Sequence, residues 1–143
     1  MSLYGLSQRT TSGTAATPAW EVRATATNKP RIMEVGISQA VATAGVFGFG
    51  RPAATGITPT SPQNFVDESD AGASTSNTTA AVAWGTGPTV PANFNRRISC
   101  PASVGAGVIW TFPRGFDIAL SASAVIWIIA TAPVCDVWSV VDE

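Results

Sequence analysis

Glu21 and Glu34 are the carboxylates whose spacing first suggests chemistry. Each sits at an outward position of an alternating stretch, and the two stretches follow one another along the chain. Two carboxylates facing each other across a short gap are the equipment of a glycosidase, one as acid and the other as nucleophile or base. Arg23 and Arg31 lie in the same stretches, and a surface strand pair crossed by ion pairs accounts for all four residues more simply. Asp67, Glu68 and Asp70 form a second acidic group. A calcium loop needs oxygen ligands at set intervals and a glycine at its tight turn. This segment has neither and reads as a solvated loop.

The other reactive types are sparse. The chain has no histidine, which removes the commonest general base and the commonest metal ligand together. Lys29 is the single lysine, and no Ser-Lys dyad is evident around it. Cys100 and Cys135 are half of the set that a structural zinc requires. Gly48-Phe49-Gly50 neither opens a helix nor runs into Gly-Lys, so it is no phosphate-binding loop. The residues point away from an enzyme, call for no cofactor and suggest no metal centre.

Composition bounds the rest. At 143 residues one domain is expected. Charged residues make up 12% of the chain and apolar residues 45%, with Thr, Ser, Ala, Gly and Pro filling the difference. A net charge of -1 leaves no basic footprint for nucleic acid or an anionic membrane, so neither is expected as a partner. The first residues lack the positive start and apolar core of an export signal. No apolar run approaches the ~18 residues of a spanning helix. With no sign of export, the two cysteines are expected to be buried thiols rather than a disulfide.

The elements that must hold these residues read as strands. Val125-Ile126-Trp127-Ile128-Ile129 is too apolar for a strand with one wet face, so Ser123–Thr131 belongs in the middle of a sheet, with Gly107–Phe112 and Val134–Val141 near it. Ala19–Thr27 and Arg31–Gln39 alternate in period two and flank the turn Asn28-Lys29-Pro30, which predicts an antiparallel hairpin. Val41–Gly50, Thr79–Trp84, Phe94–Cys100 and Phe116–Leu120 complete the series, with Pro113-Arg114-Gly115 as a tight turn. This predicts an all-β, jelly-roll-like β-sandwich of eight to nine antiparallel strands over residues 19–143. Its core should contain Trp20, Val35, Ile37, Phe47, Trp110, Phe112, Ile118, Trp127 and Ile129.

Two stretches fall outside the pattern. Residues 1–18 read as an N-terminal arm, either a frayed end or a strap over a neighbouring subunit anchored by Leu3, Tyr4 and Leu6. Residues 51–78 read as a long loop, and loops of that length are functional or disordered. Together with Trp84, which sits beside glycines at a strand end, they supply the expected interface residues. These are Leu3, Tyr4, Leu6, Arg51, Phe65, Val66, Asp67 and Trp84.

Four segments carry a family resemblance: WEVRATATNKPRIMEVGI (20–37), VFGFGRPAATG (46–56), WGTGPTVPANFNRRI (84–98) and VGAGVIWTFPRGFDIALSASAVIWII (104–129). A short polar arm, Gly-Arg-Pro after a strand, a Pro-Thr-x-Pro turn and a Trp-rich β end resemble the jelly-roll capsid decoration (cement) proteins of tailed bacteriophages. The resemblance implies a homotrimer on the capsid exterior, made in the host cytoplasm, with the major capsid protein and itself as partners. It has no residue motif that fixes a contact set. The alternative is a phage fibre tip or carbohydrate-binding β-sandwich module, which would present an exposed aromatic patch flanked by Asp, Asn or Arg in a concave site.

Overall fold

A computed structural model describes residues 2–11, 15–69, 74–131 and 133–143. Among these residues the elements are strands, and no helix occurs. They are β1 (Leu3–Arg9), β2 (Thr17–Arg23), β3 (Arg31–Gln39), β4 (Gly45–Gly50), β5 (Ile57–Pro59) and β6 (Gln63–Asp67). The second half holds β7 (Thr75–Ala81), β8 (Trp84–Thr86), β9 (Arg96–Cys100), β10 (Gly107–Asp117), β11 (Ser123–Ala130) and β12 (Cys135–Asp142). Ten form one antiparallel sheet in the order β10-β3-β12-β1-β6-β7-β2-β11-β4-β9, and β5 and β8 form a separate ribbon. The protein is all-β, as its periodicity predicts, with more strands than the eight or nine expected.

The sheet curls until its two halves face each other. Phe49 of β4 packs on Trp110, Phe112 and Phe116 of β10, with ring centroids 6.3, 5.5 and 4.9 Å apart. Trp20 of β2 meets Phe65 of β6 at 6.4 Å. These tilted aromatic pairs cross the space between β7-β2-β11-β4-β9 and β10-β3-β12-β1-β6, the two layers of a sandwich. Successive strands alternate between layers: β2, β4, β9 and β11 lie in one, and β3, β10 and β12 in the other. This alternation is the habit of a jelly roll. It also separates neighbours in sequence. The predicted hairpin of β2 and β3 does not form: β2 pairs with β7 and β11, while β3 pairs with β10 and β12. Alternation reveals which face a strand buries but carries no information on which strand lies beside it.

β11 is buried on both faces, as its apolar run requires. Ala124, Ile126 and Ile128 enter the core, while Val125 and Trp127 are buried on the outer side. The cover comes from residues 84–94, where Phe94 lies on Gly48 and Pro91 against Gly50. The neighbours of β11 are β2 and β4, not the expected 107–112 and 134–141, which lie in the other layer. Of the predicted core, Ile129 is only half-buried and the other eight residues are buried.

Three boundaries are corrected. The arm at 1–18 is not an arm over its described length. β1 lies inside the sheet, paired along its whole length with β12 and at Tyr4 and Gly5 with β6. The stretch at 51–78 is not one loop over its described residues. It contains β5 and β6 and the start of β7, and β6 is held by Phe65 in the core. Gly107–Phe112 and Phe116–Leu120 are not separate strands. β10 runs through Pro113-Arg114-Gly115 as a bulge, because Thr111 pairs with Glu34 and Phe116 with Ile32.

Candidate functional site

Glu21 and Glu34 lie in opposite layers and form no catalytic pair. Glu21 faces outward from β2, as the alternation requires, yet it is fully buried because the β5–β8 ribbon lies over it. The Gly56 amide donates to Glu21 Oε1 at 3.0 Å, and the Trp84 indole donates to Oε2 at 2.8 Å. Arg23 Nη2 sits 3.4 Å from Oε2 and also donates to the Gly56 carbonyl. A buried carboxylate needs partners for its lone pairs, and these three supply them. The cluster clamps the ribbon, with its oxygens already occupied.

Glu34 lies on the outer face of the other layer, which no segment of the described chain covers in the way residues 84–94 cover β11. Trp138 of β12 lies flat across β3, where Gly36 leaves room: a Cβ there would overlap the indole ring. Its Nε1 donates to Glu34 Oε1 at 3.0 Å. Beside it, β1, β6 and β12 frame a shallow hollow of about 330 Å³ lined by Gly5, Val66, Asp67, Glu68 and Trp138 among others. Val66 is 55% exposed, Leu3 38% and Ile109 of β10 56%, so apolar groups run across this face among carboxylates. Arg9 meets Asp136 in a two-pronged pair at 2.8 and 3.0 Å. That hydrogen bonding, aided by the Coulomb attraction, holds the Asp136 carboxyl below its ordinary range.

The structure therefore gathers some expected interface residues and scatters the others. Leu3 and Val66 meet on the outer β1–β6 face, where the Glu68 amide also donates to the Leu3 carbonyl at 2.9 Å, while Asp67 pairs with Tyr4 and turns to the other side. Asp67 is tied locally by the Ser69 amide at 2.8 Å and hydroxyl at 2.7 Å. Phe65 cannot serve as a contact because it is fully buried against Trp20. Tyr4 and Leu6 pack against the core from β1 rather than reaching for a neighbour. Trp84 belongs to the Glu21 clamp. Arg51 lies elsewhere, its guanidinium 3.6 Å from the Phe116 ring centroid and its Nη2 donating to the Asp117 carbonyl at 2.8 Å. Asp70 lies outside the described residues.

Sequence reasoning missed Trp138, Gly36 and Glu34 as one unit, since they come together only through the β3–β12 pairing. The alternation in Cys135–Asp142 did contain the signal: Val137 and Val141 point inward, so Trp138 must point out. Among the described residues no group of carboxylates and thiols is arranged to hold a metal. Cys100 and Cys135 are free and buried. Burial, with the nearby Cys100 and Asp136 charges, pushes the Cys135 thiol up to about 12. What the outer face offers is contact chemistry: a large ring, exposed aliphatic groups and hydrogen-bond acceptors. Compared with family models, curated proteins and solved structures, the chain finds no match.

Proposed function

We propose that this protein is a structural virion component, a decoration (cement) protein that binds the outside of a phage head as a homotrimer and bridges neighbouring major capsid proteins. On this reading it acts by binding, not catalysis. One observation supports it most. The protein covers one sheet face with its own residues 84–94, yet leaves Ile109, Val66 and Leu3 exposed on the other, beside half-buried Trp138. A stable interface takes about 800 Å² from each partner, roughly an eighth of the 6826 Å² surface of this chain. The face across β10-β3-β12-β1-β6 suits that demand, with half-buried Trp138 on its middle strand β12 and exposed aliphatic groups on the strands to either side.

The test is co-sedimentation with empty heads of the phage whose genome carries the chain, followed by cryo-electron microscopy of the decorated particle. Saturable, stoichiometric binding to the outer surface is the expected result. A head that binds none, or a source genome with no capsid protein, overturns the reading.

A glycan-binding module remains the second reading, favoured by the concave site in which Trp138 stands beside Asp67 and Glu68. Glycan-array binding that Trp138→Ala abolishes, with no affinity for heads, would select it instead.

A further inference from the structure

The sheet is nearly closed, and its two end strands, β9 and β10, form a seam with no ladder between them. Side chains close it. Arg96 of β9 lies over Phe112 of β10, with Cζ 5.1 Å from the ring centroid. Arg51 lies over Phe116 at 3.6 Å, and Phe112 and Phe116 pack together at 5.4 Å. Both arginines are exposed side chains whose guanidinium groups are held against these rings. Lys29, Arg31 and Arg51 line one hollow of about 310 Å³ here, and Arg96 and Arg114 line another of about 380 Å³. Against these five cations stand Asp117, paired with Arg31 at 2.9 Å, and Asp142, beside Arg31 in the sheet register. The whole chain has eight basic and nine acidic residues, so its positive charge is gathered at this seam. Two of the other three cations, Arg9 and Arg23, are committed to Asp136 and Glu21.

The opposite charge lies halfway round the sheet. β6 is four strands from β10 and five from β9 in the strand order. Its end carries half-buried Asp67, on the Tyr4 side of the strand, and then exposed Glu68, which lies over Gly5 next to exposed Val66 and Leu3.

We propose that the chain self-associates head to tail, the arginine seam of one copy seating on the acidic β1–β6 face of the next. The occupant follows from charge complementarity, since each pole presents the sign that the other lacks. Phe112 and Phe116, themselves buried, back the cations on one side, and exposed Val66 and Leu3 flank Glu68 on the other. Poles on opposite sides of one molecule make a heterologous contact, which closes into a ring when the rotation permits and otherwise extends. The proposal names the contact within the homotrimer proposed above and rests on that reading for the ring size alone.

Sedimentation velocity of the full chain tests it. The wild-type protein should associate at low salt and dissociate as salt rises, because exposed charges are screened. R96E/R114E reverses the seam, and Glu68→Arg reverses the face. Each variant alone should associate about tenfold or more weakly, while an equimolar mixture should recover association, because each supplies the sign the other has lost. Circular dichroism and melting show that each variant is folded. Arg114→Glu alone, away from the Arg96–Phe112 stack, serves if the double variant is not. A wild-type monomer at low salt overturns the proposal, as does a mixture of folded variants that fails to recover. Oligomers that ignore heads would retain this contact and remove the shell reading. A wild-type protein that decorates heads while staying a monomer would do the reverse.

Discussion

Gln39 is the residue whose side chain fits its surroundings least. It is fully buried at the end of β3, opposite Cys135, and neither its amide oxygen nor its amide nitrogen has a hydrogen-bond partner among the described residues. An unsatisfied buried amide costs about 1–3 kcal/mol, and an apolar group of similar shape removes that cost. Gln39→Met should therefore raise the denaturant midpoint, and a midpoint that falls would show that the amide is bonded after all. Glu143 shows the opposite condition. Burial works to raise its pKa, but hydrogen bonds from Ser76, Asn77 and Thr78 outweigh it and hold the carboxyl below the ordinary 4.5. A depressed folded-state pKa contributes stability that is present above the unfolded value and lost as pH falls through the folded one. Melting temperature should thus drop on acidification below about pH 4.5, and Glu143→Gln should be less stable at neutral pH with a shallower acid drop. The thiols give a third expectation: with both cysteines buried and Cys135 pushed up to about 12, alkylation should label neither in the native protein and both after unfolding. Mass spectrometry would reveal a disulfide as a loss of two hydrogens with no label.

Among the elements, β1 and the β5–β8 ribbon make the sharpest claims. β1 lies between β12 and β6 and supplies Gln8 as acceptor for the Trp20 indole at 2.7 Å. Removing residues 2–9 should unfold the domain or lower its melting temperature steeply, as judged by circular dichroism. A dispensable arm would leave melting unchanged. The ribbon hangs on Glu21, so Glu21→Ala leaves the Trp84 indole and the Gly56 amide without their acceptor. That should cost roughly 1–3 kcal/mol and expose residues 51–60 to limited proteolysis, with the rest of the sheet intact. β1 and β6 were the elements least legible in the sequence. β11 could be recognised because Val125–Ile129 is unbroken. β6 has one inward aromatic, Phe65, between polar Asn64 and exposed Val66, and so short a pattern is lost among prolines and serines. β1 mixes Tyr4 and Leu6 with small polar groups for the same reason. Period two in a half-buried strand needs several turns of the pattern before it stands out.

At the scale of the whole molecule, the fold class was readable and the pairing was not. Serial alternation with Gly and Pro punctuation is enough for an all-β sandwich. Partner choice depends on contacts between strands far apart in sequence, and β6–β7 is the one ladder of the ten-stranded sheet between consecutive strands. The site inherits that limit: Trp138, Glu34 and Gly36 were each visible, and their union was not. The same topology sets the order of events during synthesis. β3 is complete at Gln39, but its partners β10 and β12 begin at Gly107 and Cys135. A ribosome adding roughly 5–20 residues per second leaves β3, with Val35 and Ile37 on its apolar face, unpaired for several seconds. β12 then has to enter between β3 and β1, two strands that have been waiting since the start of the chain. The nascent protein therefore holds an open sheet until its last strand is translated. Slow release from the ribosome or chaperone capture in that interval, rather than the stability of the finished domain, should govern its yield.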